Sequence, residues 1–240
     1  MRGFDVLEIS GTRGQIATVS KRDRLIAMNE TTKRLVVLIS GTGTTMQGVI
    51  DATRWRTLDA EVVAVFSHEP WSYGLLRAER EGIPANLHDM ADYRFEGKTE
   101  SEYNEALAEK VAAYNPHLVV LAGWKLPFTD AFCEHFAGRI VNLQQGVPGQ
   151  YTPFDIYEQN PVSRAFDAYN AGLIREAHVT VHLLDHPDSF GRVVAQERVP
   201  IYEFDSLRDL EERMNRVQQE TLVNTLQLLL REREDWYGSN

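Results

Sequence analysis

The stretch RLVVLISGTGTTMQGVIDA, residues 34–52, joins a continuous apolar run to a glycine-rich turn and then to a segment with helical spacing. An unbroken run such as RLVVLIS, 34–40, reads as a strand buried on both faces. The turn Gly41, Thr42, Gly43, Thr44, Thr45 follows, with a helix expected from near Met46. A helix start preceded by glycines presents amide N–H groups and the positive end of the helix dipole. Threonine hydroxyls add donors, so the loop suits a phosphate without any lysine. A tight strand-to-helix turn with no ligand is equally compatible, because the loop matches neither the dinucleotide fingerprint nor the lysine-bearing phosphate loop.

The same alternation continues outward. Strands are expected at AEVVAVFS, 60–67, at 84–88, at HLVVLAG, 117–123, and at RIVNLQ, 139–144, with helices near 45–55, 73–82, 100–114 and 128–136. Each helix is long enough for a right-handed crossover, so the pattern predicts an α/β fold with a doubly wound, mostly parallel sheet. After residue 144 the regularity lapses across 145–161, where VPGQYTPFDIYEQNP clusters prolines and glycines in a loop of a length that tends to bind ligands or act as a lid. A short helix at 162–172 precedes two strands, HVTVHLL at 178–184 and RVVAQERV at 192–199, whose compact connection predicts an antiparallel pair. A closing helix starts at Ser206, capped with Asp209, and runs to about residue 231 with an apolar stripe through Leu210, Met214, Leu222 and Leu229. Residues 1–32 stand apart: DVLEIS and GQIATVS around Gly11 to Gly14 read as a small β-hairpin extension, leaving 33–232 as the main domain and 233–240 as a tail.

Composition narrows the function classes. With 25 Lys and Arg against 35 Asp and Glu, the net charge is −10, which argues against a nucleic-acid binder working by counterion release. A single cysteine, Cys133, excludes an internal disulfide and a multi-cysteine zinc site, and its place beside Phe132 and Phe136 reads as core. His68, His88, His117 and His135 are scattered over separate elements and no pair of them has metal-motif spacing, so no metal is expected. No run approaches 18 apolar residues and the N-terminus lacks a signal-peptide pattern, so the expected location is the cytoplasm, away from membranes.

Several blocks carry a family resemblance. The opening stretch, AVFS followed by YGLLRAEREGIP, HLVVLAGW, FAGRIVNL, VTVHLLD, VVAQERVPI and RVQQET resemble, in order and approximate spacing, the glycinamide ribonucleotide formyltransferases of purine synthesis, from residue 34 to about 230. The resemblance implies a Rossmann-like formyltransferase fold. It implies a ribonucleotide phosphate held at Gly41, Gly43, Thr44 and Thr45, with Glu220 contacting the nucleotide. It also implies 10-formyltetrahydrofolate in a neighbouring cleft lined by Trp124, Lys125, Leu126 and Phe128, with Ser189 at its edge, the two ligands meeting at Asn142. Thr42 and Thr45 stand where the family usually carries asparagines, and Lys125 and Pro127 also depart from the usual pattern. Glu220 is equally readable as a solvated helix charge, and the aromatic segment after Gly123 as plain strand-end packing.

The resemblance weakens where the chemistry should be. Formyl transfer needs a donor for the developing oxyanion and a group that moves a proton from the attacking amine to the leaving nitrogen. The family uses an asparagine, a histidine two residues later, and an aspartate that orients the histidine. Here Asn142 is present, Gln144 replaces the histidine, and Ser189 falls at the aspartate's position, with Asp188 one residue and His186 three residues earlier. Glutamine replaces a hydrogen bond and not a proton, so glycinamide ribonucleotide formylation is expected to be absent or about 10²-fold or more slower. His186 with Asp188 is one candidate replacement pair, although His-Pro-Asp is also good turn chemistry. An amide floor of Asn142, Gln144 and Gln145 suited to a planar heterocycle is another. The leading expectation is a folate-linked one-carbon enzyme acting on a phosphorylated or nucleotide-like small molecule. The alternative is a non-catalytic relative that binds folate or nucleotide, or serves as a partner subunit. Exposed strand edges in 1–32 make a homodimer an option.

Overall fold

The computed structural model describes residues 32–146, 160–187 and 191–232. The hairpin expected within 1–32, most of the loop expected at 145–161, Asp188, Ser189 and the tail 233–240 lie outside the described residues.

The described elements run in the order β1 (Lys33–Ile39), α1 (Thr44–Arg54), β2 (Ala60–Ser67), α2 (Tyr73–Arg80), β3 (Ala85–Leu87), α3 (Met90–Phe95), α4 (Glu100–Ala112), β4 (Leu118–Leu121), α5 (Asp130–His135), β5 (Ile140–Gln145), α6 (Pro161–Asn170), β6 (Glu176–Leu183), β7 (Val193–Pro200) and α7 (Leu207–Glu232). The seven strands form one sheet in the order β3-β2-β1-β4-β5-β6-β7. β3 through β5 pair in parallel, and β6 and β7 are antiparallel additions at the far edge. The architecture is the doubly wound, mostly parallel sheet with an antiparallel C-terminal pair that the sequence predicts. The additional short helix is α3, whose sequence MADYRF is too short and polar to show a period; Asp89 caps it by accepting from the Ala91 amide at 2.8 Å.

The strand runs are apolar because both faces are covered. Leu35, Val37 and Ile39 of β1 face a core shared with Met46, Val49 and Ile50 of α1 and Leu222, Leu226 and Leu229 of α7. Val36 and Leu38 face the other way, onto Tyr103, Leu107 and Val111 of α4 and Phe132 of α5. Each fully buried side chain of this size contributes roughly 1.5–3 kcal/mol relative to exposure. At the antiparallel edge one face alone is apolar: Ala177 and Val179 of β6 and Val199 of β7 pack on Val162 and Ala165 of α6 and Leu210 and Met214 of α7. The Ser206 and Asp209 capping box is present, with Ser206 N–H donating to Asp209 Oδ2 at 2.8 Å and Asp209 N–H to Ser206 Oγ at 3.3 Å. No helix among the described residues is long and apolar enough to cross a membrane.

Candidate functional site

β1 sits between β2 and β4, so the chain leaves it toward one side first and reaches the other side later. At such a switch point the loops beyond the carboxyl ends of the strands diverge and leave a crevice. Here the flanking loops are Ser40–Thr44, after β1, and Ala122–Thr129, after β4.

The first loop is shaped by glycine. Gly41 and Gly43 have φ of 81° and 68°, left-handed values that disfavour a Cβ, and Gly43 caps α1. A Cβ on Gly43 would lie 2.7 Å from Gly74 Cα, and one on Gly74 would run into Ile39 Cδ1, so loop and α2 meet backbone to backbone. The loop carbonyls are engaged from behind. Gly41 O accepts from Gly74 N–H at 3.0 Å and Ser72 Oγ at 2.8 Å, Thr42 O from Arg77 Nε at 2.9 Å, and Thr44 O from Gln219 Nε2 at 3.1 Å. The opposite side of the loop presents the first amides of α1, which no intrahelical carbonyl can accept from, and the first turn carries no acidic residue. That is an anion-compatible cradle.

Strand register sets the rest. Phe66, Leu38, Leu121, Asn142 and His182 are successive cross-strand partners from β2 to β6, and partners in register share a face of the sheet. Three of the five are core side chains; Asn142 and His182 end the row as a polar pair. Asn142 Nδ2 lies 3.0 Å from His182 Nε2, and His182 is 1% exposed. An amide nitrogen only donates, so Nε2 accepts and the ring proton sits on Nδ1, 3.3 Å from Leu183 O. The imidazole thereby fixes the orientation of the Asn142 amide, whose second N–H remains available to a ligand oxygen.

Gln144 lies two residues along on the same face, opposite Thr180. It is 8% exposed, and its Nε2 has no hydrogen-bond partner. A buried donor left unsatisfied costs roughly 1–3 kcal/mol, and such atoms persist where a ligand uses them. Thr180 itself is fully engaged, donating to Gly146 O at 2.7 Å and accepting from Gln196 Nε2 at 3.1 Å.

Two residues beyond Phe66 and Leu38 in the register row stand His68 and Ser40, their Nε2 and Oγ 2.7 Å apart. Lys125 N–H donates to the same Oγ at 3.2 Å, tying the two crevice loops together. His68 packs edge-on against Trp124, with centroids 5.0 Å apart, and Trp124 stacks on Phe128 at 5.9 Å. Burial pushes the His68 pKa below its ordinary value, with Glu69 opposing and Lys125 assisting. Gly123, the corresponding position on β4, has φ 93°, and a Cβ there would meet nothing within 4 Å. Trp124 Nε1 and Gln144 Nε2 are both buried without a hydrogen-bond partner.

The residues singled out from sequence distribute as follows. Gly41, Gly43, Thr44 and Thr45 form the cradle. Glu220 is exposed on α7, and its neighbour Gln219 is the residue that reaches the loop, packing closely over Gly48. Lys125 is exposed and 3.8 Å from Glu69, Leu126 is partly buried, and Phe128 is buried in the core against Phe132, so Phe128 backs the cleft wall. His186 sits beside Asp130, Nε2 to Oδ1 2.9 Å, at the start of α5. Cys133 is buried, with a thiol pKa pushed up to about 11 by desolvation, as a core residue should be. Among the described residues no cluster of His, Cys, Asp and Glu could hold a metal ion. His182, His68, Ser40 and Gln219 were not assigned from the sequence. A wider groove of about 490 Å³, lined by Arg34, Arg54, Glu81 and Tyr114 among others, opens elsewhere. Its two guanidiniums are already engaged, Arg34 by Tyr114 O and Arg54 by Glu81.

Comparison with known proteins places this geometry. Residues 33–226 match the family described as formyl transferase. The phosphoribosylglycinamide formyltransferase of Schizosaccharomyces pombe is 34% identical over 204 residues, covering 82% of this chain and 96% of that protein. That of Dictyostelium discoideum is 30% identical over 207 residues, covering 82% and 98%. Among solved structures, glycinamide ribonucleotide transformylase 1 from Symbiobacterium toebii superposes with a TM-score of 0.73 at 28% identity, covering 84% of this chain and 89% of that one.

Proposed function

Because this chain belongs to the formyl transferase family, we propose that it transfers a formyl group from 10-formyltetrahydrofolate to the amine of a phosphorylated or nucleotide-like small molecule. The observation that carries this reading is the Asn142 amide, held by His182 at 3.0 Å on the sheet face that also carries Gln144. The folate, when bound, supplies a formyl group already activated for transfer. Asn142 donates its free N–H to the oxygen on which charge develops, and Gln144 adds a second amide from the same face. Gly41, Gly43, Thr44 and Thr45 hold the phosphate, with Gln219 fixing the loop and Glu220 at its margin. Trp124, Lys125 and Leu126, backed by Phe128, line the folate side; the sequence offers Ser189 for the same side and His186 with Asp188 as a proton-carrying pair.

Gln144 carries no transferable proton, and this supports slow turnover of glycinamide ribonucleotide itself, about 10²-fold or more below relatives with a histidine there. In the same reading, 33–232 is the transferase domain and 1–32 is an added segment. Calorimetric titration with 10-formyltetrahydrofolate, tetrahydrofolate and glycinamide ribonucleotide, followed by mass spectrometry of the mixture, tests the proposal. Folate binding with slow appearance of a formylated amine is expected. Folate binding without any product supports the non-catalytic alternative, and failure to bind any folate overturns both.

A further inference from the structure

Just beyond the ends of β1 and β2, on the sheet face that carries Asn142, Ser40 and His68 form a hydrogen-bonded pair that the chemistry above does not use. We propose that Ser40 and His68 form the proton-handling unit of the transfer, with Ser40 Oγ meeting the acceptor amine and His68 Nε2 receiving the proton through it. This inference rests on the formyl-transfer reading above.

Four observations carry it. The contact is short, 2.7 Å, and Lys125 N–H donates to the same oxygen at 3.2 Å; in the tautomer with Nε2 unprotonated, the hydroxyl donates to the imidazole. Ser40 immediately precedes the loop that would hold the acceptor's phosphate. Ser40 stands level with Gln144 in the register, two strand spacings away or roughly 10 Å, with Asn142 two residues back along β5 on the same face. An amine-to-hydroxyl contact at Ser40 and an oxyanion-to-amide contact from Gln144, about 3 Å each with the reacting carbon between them, fill most of that span. Finally, desolvation keeps His68 neutral near pH 7 and able to accept a proton; Glu69 on the same turn, Lys125 from the loop after β4 and Asp89 at the cap of α3 are the charges that face it.

The proton count closes. As the amine nitrogen bonds to the formyl carbon, one amine proton passes to Ser40 Oγ while the hydroxyl proton passes to His68. The bond from the carbon to its donor nitrogen then breaks, and that nitrogen takes the proton back, returning the pair to its starting state. No oxidant or metal is consumed.

The test compares wild type, His68→Gln and Ser40→Ala with 10-formyltetrahydrofolate and glycinamide ribonucleotide in single-turnover pH profiles, alongside an NMR titration of the His68 ring in the wild type. The wild type should lose rate on the acid side, with an apparent pKa equal to that of the His68 resonance and below 6.5. Both variants should lose that limb and fall about 10²- to 10⁴-fold in rate, with folate affinity by calorimetry changed less than threefold. An unchanged acid limb in His68→Gln, or a His68 titration that does not coincide with the rate profile, overturns the inference and leaves the formyl-transfer reading standing. A wild type with no turnover of glycinamide ribonucleotide overturns the inference for this acceptor, and one that also binds no folate overturns the formyl-transfer reading with it.

Discussion

The parallel half of the sheet and its antiparallel end build function by different means. In β1 and β4 every strand residue from Leu35 to Ile39 and from Leu118 to Leu121 is buried under helices on two faces. Polar groups can enter only beyond the strand ends, and there the ligand-facing atoms are mostly backbone amides shaped by Gly41 and Gly43. In β5 and β6 one face rests on helices while the other carries Asn142, Gln144, Thr180 and His182 from within the strands. A cradle made of backbone tolerates side-chain change, as the threonines at 42 and 45 illustrate. A site made of strand side chains is more sensitive to such change, and Gln144 falls on that side.

The contrast breaks most visibly at Asn142. Asn142→Asp keeps the shape but removes both donated hydrogens, so kcat/KM for formyl transfer should fall about 10²- to 10³-fold, the usual loss for one oxyanion donor. Its melting temperature should move by only a few degrees. Unfolding of this variant, or unchanged kinetics, would erase the division of labour.

On the parallel side the expected effect is the reverse. Gly74→Ala forces a Cβ into Ile39 and Gly43, and overpacking of this kind costs typically 1–3 kcal/mol. Thermal denaturation should report a loss of several degrees, at roughly 2–4 °C per kcal/mol for a domain of this size. Phosphate-bearing ligands should bind more weakly, because the loop must shift.

Gln144→Leu sharpens the antiparallel side. Removing the orphaned buried donor should raise stability by about 1 kcal/mol while lowering turnover, an exchange of activity for stability that a purely structural glutamine would not show. A drop in both quantities on thermal melt and kinetic assay would assign Gln144 to folding alone.

The smallest effect is the acid dependence of the parallel half. His88 is buried, its Nδ1 3.1 Å from Lys110 Nζ and its Nε2 3.0 Å from Tyr103 O, and desolvation first, then the Lys110 charge, lowers its pKa. The unfolded chain therefore binds a proton more readily, so stability present above about pH 6.5 declines as pH falls toward the lowered folded value. Urea midpoints measured between pH 7.5 and 5.5 should decrease, and less steeply in His88→Gln.

The parallel strands and the closing helix were legible because continuous apolar runs and an amphipathic stripe are local signals. The cradle was legible for the same reason, since glycines between a strand and a helix impose left-handed backbone wherever they occur. His182 was not, because its partnership with Asn142 is created by antiparallel pairing 40 residues away in sequence. The Ser40 and His68 contact depends on register across β1 and β2 in the same way. Glu220 stood out in the sequence as the charged residue, yet one step along a helix rotates a side chain by about 100°, and it is Gln219 that faces the loop.

The account turns on whether an amide at position 144 slows the transfer that the rest of the fold is built to perform. The most direct measurement is the single-turnover rate of glycinamide ribonucleotide formylation at saturating 10-formyltetrahydrofolate, with the Schizosaccharomyces pombe relative run side by side. A rate at least about 10²-fold below that relative is predicted; equal rates would contradict the account.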